Sequence, residues 1–116
     1  MRILCLYRAS EEAGILEWCH KNNVVFFSYM VLEQGALSGK YNVNNLFKSG
    51  TRRGEAFNVE VFRKLQGLID AMRKIGEKYK AEPTQIAMAW AISKGTVPII
   101  GVTKESQVDS ARNALD

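Results

Sequence analysis

Two short runs in this chain carry groups that could hold a phosphorylated ligand. The first, Ser28-Tyr29-Met30-Val31-Leu32-Glu33-Gln34-Gly35-Ala36-Leu37-Ser38-Gly39-Lys40-Tyr41, follows the apolar run Val24 to Phe27. The second, Pro98-Ile99-Ile100-Gly101-Val102-Thr103-Lys104-Glu105-Ser106-Gln107, leads a short apolar strand into a glycine, a hydroxyl, an ammonium and a helix start. In α/β proteins ligands sit beyond the carboxyl ends of parallel strands, and a helix N-terminus attracts anions. Two such edges in one chain predict a nucleotide-binding face.

Each candidate has a plainer reading beside it. Gly35, Gly39 and Lys40 form G-x-x-x-G-K, which differs from a P-loop in spacing and in lacking the serine or threonine that follows the lysine. Its glycines still let backbone amides approach phosphate oxygens, and Lys40 adds a point charge. Thr103 and Lys104 converge with the free N–H groups of a helix start, or form an ordinary N-cap beside an exposed lysine. Tyr29, at a strand end, offers a flat ring for a planar heterocycle or an inward-facing aromatic with its hydroxyl in water. Lys48, Arg52 and Arg53 read as solvated loop charges, with a phosphate clamp as the alternative. Met72, Met88, Phe62 and Trp90 recur at helical spacing and read as core. His20, the single histidine, has no carboxylate partner nearby in sequence and reads as a helix-end residue. One histidine and the distant Cys5 and Cys19 give no metal-binding spacing, so no metal site is expected.

These groups must be positioned by regular elements. Ile3 to Tyr7 reads as a short buried strand. Ser10, followed by Glu11 and Glu12, starts a helix that runs to about His20. Val24 to Tyr29 has the β-branched and aromatic content of a strand buried on both faces. Gly35 to Asn58 reads as a long surface loop, which in a compact domain is functional or mobile. Val61, Phe62, Leu65, Leu68, Ile69, Met72, Ile75 and Tyr79 then keep helical spacing. Pro83 and Thr84 open another helix through Ile92, with Ile86, Ala87, Trp90 and Ala91 on one side. Gly95 sits where a left-handed C-cap belongs. Thr96 to Val102 is a strand, and Thr103 to Ala114 a last helix with Val108, Ala111 and Leu115 on its inner face. The order β-α-β-loop-α-α-β-α predicts a parallel sheet in an α/β fold.

At 116 residues, 47% apolar and 24% charged, the chain is a single globular domain, 1–116, and not a disordered one. The net charge of +4 is spread over several segments and does not form a nucleic-acid footprint. No segment approaches membrane-span length, and two cysteines without disulfide patterning point to a reducing, cytoplasmic setting.

The segments Gly14-Ile15-Leu16-Glu17-Trp18-Cys19, Phe27 to Tyr41, Ala87-Met88-Ala89-Trp90-Ala91-Ile92 and Pro98 to Lys104 together resemble the C-terminal half of an aldo-keto reductase. The likeness is to the potassium-channel β-subunit-like branch of NADPH-dependent oxidoreductases, and Leu6-Tyr7-Arg8 resembles the end of that family's preceding strand. The resemblance implies a partial (β/α)8 TIM barrel, about the last three strand-helix units with an extra helix. It implies NADP(H) as cofactor and hydride transfer to an aldehyde or ketone as the family reaction. By the same resemblance Tyr29 stacks on the nicotinamide. Leu32, Gln34, Gly35, Leu37, Gly39 and Lys40 line the pyrophosphate. Gly101, Thr103, Lys104 and Gln107 form the adenosine 2′-phosphate edge. Two positions depart from the family pattern: Ser110-Ala111 replaces a Glu-Asn pair, and Met30-Val31 stands where many members have proline.

The family's catalytic tetrad of tyrosine, lysine, aspartate and histidine belongs to the first half of the barrel. Tyr7, Tyr41 and Tyr79 lack its context, so no catalytic residue is assigned and the chain alone is expected to be inactive. Another copy, or a chain supplying the missing half-barrel, is the partner this implies. The alternative is a non-enzymatic NADP(H)-binding or interaction module.

Overall fold

The computed structural model describes residues 9–116, so the expected strand at Ile3–Tyr7, with Cys5 and Arg8, lies outside the described residues. The elements are α1 (Ala9–Glu12), α2 (Ile15–Lys21), β1 (Phe27–Ser28), a 3-10 segment (Glu33–Ser38), α3 (Arg52–Ala56), α4 (Val59–Tyr79), α5 (Pro83–Ser93), β2 (Val97–Pro98) and α6 (Glu105–Asn113). They divide into two compact units, one formed by the chain up to Val31 together with Ala87–Asp116, the other by Leu32–Ile86.

In the first unit β1 and β2 pair in parallel, with Phe27 opposite Val97 and Ser28 opposite Pro98. Val97 N–H donates to the Phe26 carbonyl at 2.9 Å and Ile99 N–H to the Ser28 carbonyl at 2.7 Å, which fixes the register. The strands are much shorter than the expected Val24–Tyr29 and Thr96–Val102, because each has one strand neighbour at most among the described residues. Burial on both faces is also not found. Phe26 and Ser28 are buried, whereas Val25, Phe27 and Tyr29 are exposed on the opposite face, as are Val97 and Ile99. A period-2 alternation of this kind marks a sheet covered on one side. The covering layer is α2 and α5: Leu16, Cys19 and Phe26 form a cluster against which Ile15 and Trp90 pack. The helix expected from Ser10 to His20 is two helices, because Gly14 takes a left-handed conformation (φ 77°) between them. Gly95 closes α5 in the left-handed region (φ 76°), as its position after the helix predicted. The expected inner face of α6 is not inward: Val108 and Leu115 are exposed.

In the second unit α4 matches its periodicity, burying Phe62, Leu65, Ile69 and Met72 along one stripe. Asn58 caps it, its side-chain oxygen accepting from the Val61 N–H at 3.1 Å. The expected surface loop from Gly35 to Asn58 is instead built into this core. Ala36, Phe47 and Phe57 are buried with Phe62, Leu65 and Ile69, and Tyr41 packs beside them. The ring centroids of Tyr41 and Phe47 lie 4.1 Å apart, and Phe47 meets Phe62 at 5.8 Å. Isolated aromatics in a Gly/Asn-rich stretch leave no periodic signal, yet each removes a large apolar area from water. The short helix α3 starts at Thr51, whose hydroxyl oxygen accepts from the Gly54 N–H at 3.1 Å.

Candidate cofactor-binding site

Parallel pairing decides where the two candidate runs emerge. Tyr29 follows β1 and the Gly101–Lys104 segment follows β2, so both leave the same, carboxyl edge of the pair. Tyr29 is 45% exposed, its ring presented on the open sheet face. Gly101, Thr103 and Lys104 are exposed, and a Cβ at Gly101 would meet nothing within 4 Å. Lys104 caps α6. The Gln107 side-chain oxygen accepts from the Thr103 N–H at 2.7 Å, the Lys104 N–H at 3.1 Å and the Thr103 hydroxyl at 3.3 Å. The donors expected to be free at this helix start are therefore held by one amide oxygen.

The first run turns sharply in the second unit. Gln34 (φ 57°), Gly35 (φ 98°) and Gly39 (φ 76°) lie in the left-handed region, and Glu33 (φ 48°) does as well. Non-glycine residues there carry backbone strain of about 1–3 kcal/mol each. Leu32 caps the segment, and its carbonyl accepts from the Gly35 N–H at 2.9 Å and the Leu37 N–H at 3.2 Å. Leu37 is fully buried and Glu33 only 2% exposed, while Lys40 is exposed. Leu37 thus anchors the turn, and Lys40 is the member free to meet a charge.

Arg53 is not the solvated loop charge that the sequence suggested. Its guanidinium lies 4.0 Å from the Phe47 ring centroid and 5.8 Å from that of Tyr41. A Cβ built on Gly35 would sit 3.4 Å from Arg53 Nη2. The Arg53 Nε is buried with no hydrogen-bond partner. An unpaired N–H on a stacked guanidinium, beside a glycine at positive φ, is the donor set an anionic oxygen fits. Arg73 was not singled out in the sequence. Its Nη2 donates to the Gly39 carbonyl at 2.9 Å. Beside it opens a cleft of about 220 Å³, lined by Gly39, Tyr41, Asn42, Gln66, Ile69 and Arg73 among others.

Among the described residues no group of histidine, cysteine and acidic side chains could hold a metal ion. His20 is exposed, its Nε2 3.5 Å from the Gly95 carbonyl, and Cys19 is a buried free thiol. Tyr41 sits in the aromatic stack and Tyr79 is 66% exposed at the end of α4.

A family model described as "Aldo/keto reductase family" matches residues 2–116. The chain belongs to the aldo/keto reductase family. The chloroplastic pyridoxal reductase of Arabidopsis thaliana is 31% identical over 110 residues, covering 95% of this chain and 29% of that protein. An uncharacterised oxidoreductase of Mycobacterium tuberculosis is 30% identical over 103 residues, 88% of this chain and 32% of that one. Among solved structures, a glycerol dehydrogenase from Gluconobacter oxydans superposes with a TM-score of 0.81 at 25% identity, over 92% of this chain and 34% of that chain. This aldo/keto reductase chain thus spans about a third of the length of the curated relatives it matches. Its helix-rich α/β structure is consistent with part of the family's barrel. Among the described residues no helix is long and apolar enough to cross a membrane.

Proposed function

We propose that this chain carries the NADP(H)-binding portion of an aldo-keto reductase of the potassium-channel β-subunit-like branch, about its last three strand-helix units with an extra helix. The single observation that carries the reading is the half-buried Arg53 guanidinium stacked beside the left-handed Gly35, its Nε without a hydrogen-bond partner. Gln34, Gly35, Leu37, Gly39 and Lys40, with Leu32 as their cap, hold the pyrophosphate, and Arg53 clamps it. Tyr29 stacks on the nicotinamide. Thr103, Lys104 and Gln107, with Gly101 before them, take the adenosine 2′-phosphate, which Gln107 must release its backbone donors to admit. The bound dinucleotide supplies hydride for reduction of an aldehyde or ketone. The proton for the carbonyl oxygen must come from a tetrad that Tyr41 and Tyr79 do not reproduce, so the 116-residue chain alone does not turn over.

Strands of the remaining barrel add at the edges of the β1–β2 pair, from another copy or from a second chain, and enclose the face of Val25, Phe27, Tyr29, Val97 and Ile99 as the barrel interior. The free thiol of Cys19 suits the cytoplasm.

Fluorescence titration with NADPH and NADH tests the reading. NADPH-selective binding that weakens in Lys104→Ala and Arg53→Leu supports it. An absence of binding at millimolar nucleotide would sink it. NADPH binding with no carbonyl-dependent oxidation, even after the barrel is completed, favours a non-enzymatic NADP(H)-binding module.

A further inference from the structure

We propose that Arg73, on α4, is a positioning residue that holds the Gly39–Lys40 peptide in the one orientation that serves an anion; the proposal rests on the cofactor reading of that turn. The peptide is pinned at both ends. Its carbonyl accepts from Arg73 Nη2 at 2.9 Å, and its N–H donates to the Ser38 hydroxyl oxygen at 3.2 Å. Ser38 in turn donates to the Gly35 carbonyl at 2.6 Å. The next carbonyl, that of Lys40, accepts from Asn45 Nδ2 at 2.8 Å. Because peptide units are planar, fixing both flanking planes fixes the direction in which Lys40 leaves the backbone.

All three carbonyls, those of Gly35, Gly39 and Lys40, are thereby turned toward side-chain donors. A carbonyl facing a phosphate would repel it, so a site made from backbone must aim its oxygens elsewhere. Gly39 is the weak point. Having no Cβ, it meets little steric resistance to rotation of the following peptide, which would break the Lys40 N–H bond to Ser38 and release the Gly39 carbonyl toward the anion. Arg73 opposes that rotation by holding the oxygen. It is itself braced on its helix: Nη1 lies 3.8 Å from Asp70 Oδ1, and that same oxygen accepts from Gln66 Nε2 at 2.7 Å. The close fit also explains the glycine, since a Cβ at Gly39 would lie 3.1 Å from Arg73 Nη2. The guanidinium therefore supplies order to the turn.

A double-mutant cycle in the full chain separates this from a generic role. NADPH affinity is read by fluorescence for Lys40→Ala, Arg73→Ala and the pair. Lys40→Ala is expected to weaken binding about tenfold and Arg73→Ala about fivefold, with the pair no worse than Lys40→Ala alone. Arg73→Lys, which keeps a donor, is expected to restore most of the affinity. Hydrogen exchange at the Lys40 amide is expected to quicken in Arg73→Ala while the thermal midpoint stays close to the parent, because Arg73 is 47% exposed. Multiplicative losses in the pair, or unchanged exchange at Lys40, overturn the positioning role and leave the cofactor reading standing. An NADPH affinity untouched by Lys40→Ala overturns both.

Discussion

The hydroxyl of Ser28 donates to Thr96 Oγ1 across the two strands at 2.9 Å, and both residues are buried. Thr96 Oγ1 places its own proton on the Ala91 carbonyl at 2.8 Å, so the direction of the Ser28 bond is fixed. This relay ties β1 to β2 and to the end of α5 through two hydroxyls.

Removing one member strands the others. Thr96→Val is expected to destabilise the chain by about 1–3 kcal/mol, because a buried Ser28 hydroxyl loses its acceptor. Ser28→Ala combined with Thr96→Val should cost less than the two single changes added together. Urea denaturation of the four proteins measures the coupling.

Gly95 resists substitution chiefly through its backbone, and to a lesser degree through the exposed His20 ring. Its φ of 76° is left-handed, and a Cβ there would run into the His20 ring. Gly95→Ala is expected to cost more than about 1–2 kcal/mol, the ordinary left-handed penalty. Adding His20→Ala should recover the part due to the ring and leave the backbone part. Thermal melts of the single and double variants separate the two contributions.

Phe62 is 1% exposed and meets both Phe47 and Phe57 ring to ring. Phe62→Ala is expected to lose about 3–5 kcal/mol, enough to unfold the segment from Leu32 to Ile86. Phe62→Leu should be far milder. Near-ultraviolet circular dichroism together with amide exchange along α4 reports which outcome holds.

At the start of α6, Lys104→Ala is expected to weaken NADPH about tenfold, a loss of about 1.4 kcal/mol, and NADH little, since only NADPH carries the 2′-phosphate. Gln107→Ala frees two backbone donors that its side-chain oxygen now occupies. Because Gln107 also holds the 2′-phosphate, NADPH binding should weaken in that variant, but less than in Lys104→Ala, while the helix start frays. Titrations repeated at two salt concentrations identify the electrostatic share.

What could be read from the residues follows from which physical signals are periodic. The spacing of Phe62, Leu65, Ile69 and Met72 places α4 correctly, and Gly95 marks the end of α5. The family could be read from four spaced segments, and the family match over residues 2–116 bears that out. Phe47 and Phe57 gave no such signal, because single aromatics in a polar stretch join a core only through distant partners. Arg73 was missed, and Arg53 was read first as a solvated charge with a clamp as the alternative, for the same reason: a guanidinium reaches its partner by side-chain length, with no periodic trace along the chain. Strand burial was overestimated at Val25 and Phe27, since composition alone cannot tell how many layers cover a sheet.

The outward row of Val25, Phe27, Tyr29, Val97 and Ile99 has a practical effect. A greasy flank of this kind makes molecules stick to one another as they become crowded. Nucleotide binding curves taken at high and low protein concentration should therefore fail to superimpose. The dilute curve is the one that describes the solitary chain.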